Sequence, residues 1–156
     1  MSSSSKSKKK SNENSQELKT SLKALFGHSA FRSKFQEEAV NIAVFGKSKN
    51  DLFVSMPTGS GKSLIYQLPG AMAPKGQVTI VVSPLIALIK DQMEHLQKLK
   101  LTAESINSKM GEKERKRVLN DLNCKCPDTR FLYVTPEQCA TGTFQVGSML
   151  TSNIQI

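Results

Sequence analysis

A run of β-branched residues, QVTIVV at 77–82, and a second apolar run, RFLYV at 130–134, limit most tightly how this chain can fold. The first suits a strand buried on both faces, and the second is another strand. Between them, Leu85–Leu99 places Leu85, Leu88, Ile89, Met93, Leu96 and Leu99 on an inward helical face, with Lys90, Asp91, Glu94 and Lys98 outward. A short strand is expected at Ala103–Ile106 and a charged helix at Glu112–Leu122. Strands alternating with helices need crossover connections. The expected fold class is therefore α/β, a mainly parallel sheet with helices on both faces.

Upstream the pattern is helical. Leu18, Leu22 and Leu25 recur at helical spacing, and Gly27 is a stop signal. Phe31–Phe45 reads as a second helix with Phe35, Ala39, Ile42 and Ala43 on one face, and Ser33 with Gln36 fits a capping box. Leu52–Met56 is expected as a short apolar strand, and Ser63–Ala73 as a helix bent or shortened by Pro69.

Between these last two elements lies MPTGSGKS, residues 56–63. A strand, a glycine-rich turn and a helix form the context of a P-loop. Gly59 and Gly61 let the backbone around Thr58 and Ser60 curl, so that successive N–H groups face phosphate oxygens. The helix N-terminus adds partial positive charge. Lys62 would neutralise the β and γ phosphates of ATP, and the Ser63 hydroxyl would ligate Mg²⁺. Met56 stands where the strict pattern has its first glycine. The alternative is a glycine-rich turn followed by a chance Lys-Ser pair.

The 156 residues are about one domain. Apolar residues make up 38% and the mean hydropathy is -0.33, which suits a soluble chain. No apolar run approaches the roughly 20 residues of a membrane helix, so no membrane partner is expected. The N-terminus has no apolar segment for a secretory signal. Cys124, Cys126 and Cys139 make an odd count, which argues against a disulfide framework and fits a reducing compartment. Cys124 and Cys126 lack a second pair at ligand spacing, so no zinc site is expected.

Net charge is +9, which favours polyanions. Residues 1–15 carry four Lys and one Glu, and residues 109–117 five basic and two acidic groups, whereas 138–156 carry no charge. The first fifteen residues have nothing to bury and read as a disordered basic tail. Its KSKKK run reads as a nuclear-import signal, a nucleic-acid arm or a solubilising tail.

The surrounding residues add a family resemblance. MPTGSGKSLIYQLP resembles motif I of the RecQ DNA helicases of superfamily two, and VVSPLIALIKDQ (81–92) their motif Ia. INS (106–108) and LYVTPE (132–137) resemble later segments, and FGHSAFRSKFQ (26–36) their motif 0. One extra residue separates Arg32 from Gln36. That spacing, like INSKMGEKERK, is similar to the fifth, shorter paralogue type of animal RecQ helicases. The resemblance covers residues 18 to about 144. It implies ATP-dependent 3′→5′ unwinding of DNA at single-stranded or duplex junctions, work in repair and recombination, and nuclear residence.

It further implies that Gln36 hydrogen-bonds the adenine edge with Arg32 in support, and that His28 takes the stacking position. Against this stands the use of Gln36 in the capping box. Ser83, Pro84, Thr135 and Pro136 would face the DNA backbone, or else Ser83 and Thr135 cap the helices that follow. The cluster Lys113, Arg115, Lys116 and Arg117 reads as a solvated helix face or as a DNA contact.

In RecQ helicases the catalytic carboxylates sit in a D-E-A-H box, a run that this sequence does not contain. The expected organisation is a basic tail at 1–15, a partial RecA-like helicase lobe at 16–144 and an uncharged tail at 145–156. The expectation for such a chain is a marginally stable monomer with an exposed Leu52–Met56 edge and no unwinding by itself. The second reading is a truncated, inactive product that binds nucleotide weakly or modulates the full-length helicase.

Overall fold

The computed structural model describes residues 3–46 and 51–140, with side chains from Lys9 onward. The uncharged segment 145–156 lies outside the described residues. Two compact units are present, residues 1–72 and 73–156.

The first unit is helical. It contains α1 (Ser3–Phe26), α2 (Lys34–Phe45) and α3 (Leu64–Met72). Leu18, Leu22 and Phe26 of α1, Ala39 and Val40 of α2, and Ile65 and Leu68 of α3 are its buried hydrophobic residues. Gly27, at φ 70, stops α1, and its amide donates to the Lys23 carbonyl. Pro69 is the sixth residue of α3 and has no N–H to donate to the Ile65 carbonyl, so the short helix forgoes one bond of its ladder.

Three expectations are corrected in this unit. Helix α1 runs back to Ser3 across residues whose composition suggests a disordered tail. Ser and Lys are acceptable helix formers once the Leu-anchored turns downstream supply the nucleus. Residues 51–57 form no strand. The strands of the sheet pair only with one another, and an apolar run without a ladder for its amides and carbonyls gains nothing from extension. Phe53 is accordingly 94% exposed. Helix α2 buries Gln36, Ala39 and Val40, while Phe35 and Ile42 are exposed. Apolar spacing alone selected the wrong stripe because a hydrogen-bonded Gln36 occupies the buried one.

The second unit carries the sheet. Strands β1 (Thr79–Val82), β2 (Ala103–Ile106) and β3 (Phe131–Val134) are parallel in the order β1-β3-β2. Helix α4 (Ile86–Lys98) connects β1 to β2, α5 (Glu112–Leu122) connects β2 to β3, and α6 (Pro136–Ala140) follows β3. This is the α/β pattern that the β-branched runs imply. The core joins Val78, Ile80, Ile106, Leu132 and Val134 with Val118 of α5, and Met110, Leu119 and Leu122 pack around them. All four residues of β3 are buried, as a central parallel strand requires.

Helix α4 buries Ile89 and Leu96, seven residues apart, but Leu85 and Leu88 are exposed. Leu85 is the N-cap rather than a helical residue, and Leu88 lies about 100° around the helix from Ile89. At the other end of the sheet, the Asp121 carboxylate accepts from the amides of Asp128 and Thr129 at 3.0 Å each and from the Thr129 hydroxyl at 2.6 Å. These bonds close the loop that carries Cys124 and Cys126. Arg130 Nη1 donates to the Ala73 carbonyl, tying the segment before β1 to the start of β3.

Candidate functional site: a phosphate cradle and the carboxyl edge of a sheet

The loop from Met56 to Ser63 is the densest polar arrangement of the first unit. Gly59 and Gly61 have φ of 79 and 85, values that other residues adopt only under strain. The Ser60 amide and hydroxyl both donate to the Pro57 carbonyl, at 3.3 and 2.6 Å, and close a tight turn. Leu64, Ile65 and Tyr66 then donate back to Gly61, Lys62 and Ser63 as α3 begins. Among the described residues, the amides of Gly61, Lys62 and Ser63 make no backbone hydrogen bond. They stand at the start of α3, where orphan donors and the helix dipole favour an anion.

Lys62 Nζ donates to the carbonyls of Met56 and Pro57, at 2.9 and 3.2 Å. The ammonium therefore lies across the mouth of the loop. The contact also explains why methionine serves at position 56, since the position contributes a carbonyl and any residue has one. Unbonded amides, an adjacent ammonium and two glycines at positive φ fit a nucleotide polyphosphate. Ser63 adds a half-buried hydroxyl beside them.

Two residues of the motif 0 segment reach this loop. Arg32 Nη1 donates to the Gly59 carbonyl at 2.7 Å. Gln36 Nε2 donates to the Gly61 carbonyl at 2.9 Å, while its Oε1 accepts from the Arg32 amide at 2.8 Å. Ser33 Oγ accepts from the Gln36 amide at 3.1 Å and is the N-cap of α2. The capping box is therefore half formed. The cap bond is present, but the Gln36 side chain spans Arg32 and the loop instead of returning to Ser33. Gln36 is 1% exposed, whereas His28 and Arg32 are exposed. Thr58 is exposed on the turn. The reach of Gln36 to the loop, which joins residues 25 apart, has no signal in the sequence beyond the identity of its amide.

In the second unit the register aligns Val82 with Val134 and Ile106 with Val134. The residues that follow are Ser83, Thr135 and Asn107, so these three form a row along the carboxyl edge of the sheet. Ser83 and Thr135 are buried, and Pro84 and Pro136 are exposed beside them. Ser83 does not cap α4, whose N-cap is Leu85 with no side-chain bond. Asn107 joins this row only through the register, which its place in the INS segment does not reveal. Its Oδ1 accepts from the Lys109 amide and its Nδ2 donates to the Ser105 hydroxyl.

Two of the four cations of the α5 cluster, Lys116 and Arg117, are paired with carboxylates. Arg117 makes a two-pronged pair with Glu104, both contacts at 3.0 Å, which holds its guanidinium pKa above the ordinary value. Lys116 pairs with Glu112 at 2.9 Å, and Arg115 donates to Gln138 Oε1 at 3.0 Å. Burial raises the Cys139 thiol pKa, and Cys124, Cys126 and Cys139 are free thiols. Among the described residues, no group of three His, Cys, Asp or Glu is placed to hold a metal ion, and no helix is long and apolar enough to cross a membrane.

A glycine-rich loop at a helix start and a parallel sheet with polar strand ends fit a nucleotide-binding α/β class. A DEAD/DEAH box helicase profile matches residues 33–155. ATP-dependent DNA helicase Q5 of Rattus norvegicus is 49% identical over 139 residues, which is 88% of this chain and 14% of the rat protein. RecQ-like DNA helicase BLM of Xenopus laevis is 41% identical over 80% of this chain and 9% of its own length. ATP-dependent DNA helicase RecQ of Haemophilus influenzae is 42% identical over 79% of this chain and 19% of its own length. The chain belongs to the DEAD/DEAH box helicase family, in its RecQ branch. It spans between 9 and 19% of the length of these three relatives.

Proposed function

We propose that this chain binds Mg-ATP in the 56–63 loop as part of an ATP-dependent DNA helicase of RecQ type. The observation that carries this reading is the set of amides at Gly61, Lys62 and Ser63 that make no backbone hydrogen bond among the described residues, beside an ammonium that donates to loop carbonyls. Lys62 would leave the Met56 and Pro57 carbonyls for β and γ phosphate oxygens, exchanging neutral acceptors for charged ones. Ser63 would hold Mg²⁺ through its hydroxyl. When bound, Mg-ATP supplies the phosphoryl group and the metal that neutralises its charge.

Gln36 keeps one unused N–H and one unused lone pair, enough to read an adenine edge, with Arg32 in support and the exposed His28 ring proposed to stack on the base. Ser83 and Thr135, with Pro84 and Pro136, would meet a DNA strand at the carboxyl edge of the sheet, where parallel α/β sheets take their ligands. Residence in the nucleus follows from that substrate and from the KSKKK run.

No D-E-A-H run supplies catalytic carboxylates within these 156 residues. The 156-residue chain by itself is therefore proposed to bind nucleotide without unwinding DNA. Calorimetric titration with Mg-ATP, beside a forked-duplex unwinding assay, tests both halves. Saturable binding without strand separation is expected. No binding would refute the cradle, and unwinding abolished by Lys62→Ala would refute the inactivity.

A further inference from the structure

We infer that Gln36 and Arg32 are positioning residues for the phosphate cradle itself, so that they control affinity for a polyphosphate that carries no base. The inference rests on the nucleotide-binding reading and goes beyond adenine recognition.

In a planar trans peptide the carbonyl of one residue and the amide N–H of the next point in opposite directions. Gln36 Nε2 holds the Gly61 carbonyl, which also accepts from the Leu64 amide, so the Lys62 N–H is turned away from Gln36. Arg32 holds the Gly59 carbonyl, which fixes the turn closed by Ser60 on Pro57. The two bonds fall on alternate residues, with Ser60 between them. Both glycines have positive φ, a region where glycine is also free to take other conformations. The bonds from Arg32 and Gln36 therefore add to those within the loop, from Ser60 to Pro57 and from Leu64 to Gly61, in selecting the observed curl.

Gln36 is itself fixed. Its Oε1 is tied to the Arg32 amide and the residue is 1% exposed. A Cβ on Gly61 would come within 2.6 Å of Gln36 Nε2 and 3.4 Å of the Arg32 side chain. The glycine is therefore needed for the approach of these two side chains as well as for the turn. Reading a base edge requires none of these features.

The test uses the 156-residue chain and two half-ligands, tripolyphosphate and adenosine, each titrated calorimetrically with Mg²⁺ present. Gln36→Met removes the amide without adding charge, and Gln36→Asn keeps the amide but is one methylene too short to span both contacts. The expected result is a loss of about tenfold in tripolyphosphate affinity in each variant, the worth of one well-placed hydrogen bond. The Lys62 amide cross-peak should shift in the unligated ¹⁵N spectrum, while the α3 amides after Ile65 stay in place. That local shift separates positioning from a general loss of structure, and Gln36→Asn keeps the test valid if Gln36→Met does not fold. Unchanged tripolyphosphate affinity in Gln36→Asn, in a wild-type chain that binds both ATP and tripolyphosphate, overturns this inference alone. A wild-type chain that binds neither ligand overturns the nucleotide-binding reading and this inference with it.

Discussion

Gln36 Nε2 lies 2.9 Å from the carbonyl oxygen of Gly61, and the same glycine has φ 85. A bond between α2 and the phosphate loop therefore depends on the absence of a side chain at position 61. Gly61→Ala should destabilise the chain by about 1–2 kcal/mol, the cost of a left-handed backbone with a Cβ, and should abolish Mg-ATP binding. Denaturant unfolding with and without Mg-ATP reads both effects. Wild-type nucleotide affinity in this variant would show that the Gln36 bond is dispensable.

The core of the second unit should be far less tolerant than its surface. Leu132 is fully buried in the central strand among Ile80, Ile106, Val118 and Val134. Leu132→Ala is expected to cost about 2–5 kcal/mol, measured as a lowered denaturation midpoint. A cost below about 1 kcal/mol would mean that this sheet contributes little to the cooperative fold.

The Arg117–Glu104 pair has good geometry but a side chain that is 59% exposed on the arginine. Arg117→Ala should therefore cost less than about 1 kcal/mol, and the difference should shrink in high salt. A thermal melt series from low to high ionic strength checks this. A larger, salt-independent loss would assign Arg117 a packing role.

Acid sensitivity should trace to Asp121. Its burial works to raise the carboxyl pKa, but bonds from the Thr129 hydroxyl and the Asp128 and Thr129 amides, with the charge of Arg117, outweigh it and leave the pKa lowered. A lowered folded value means that the contribution is complete above the ordinary aspartate range, about 4, and is lost as pH falls through the depressed folded value. Asp121→Asn should flatten that acid limb of the stability profile and cost about 1 kcal/mol near neutral pH. An unchanged acid limb would place the titrating group elsewhere.

Much of the second unit was legible in the sequence because its strands are central and parallel. QVTIVV and RFLYV are rich in β-branched and aromatic residues on both faces, and the observed strands fall inside them. The turn at 56–63 was legible for another reason: its glycine spacing, visible in one dimension, marks the positive φ of Gly59 and Gly61. The failures have physical causes as well. Leu52–Met56 has strand composition, but a strand also needs a paired neighbour. Helix α2 was assigned the wrong buried stripe because a paired glutamine can occupy a core position that composition assigns to Phe35. The bonds from Arg32 to Gly59 and from Gln36 to Gly61 span 27 and 25 residues, and no local pattern encodes them. Asn107 joins Ser83 and Thr135 only through strand register.

The most direct test of the account is the thermal midpoint of the 156-residue chain with and without Mg-ATP, beside Lys62→Ala. A ligand that binds only the folded state adds about 2.7 kcal/mol of stability at a hundredfold excess over Kd. A raised midpoint is expected in the wild type and no rise in Lys62→Ala. An unshifted wild-type midpoint at saturating Mg-ATP, or an equal shift in both proteins, would contradict that expectation.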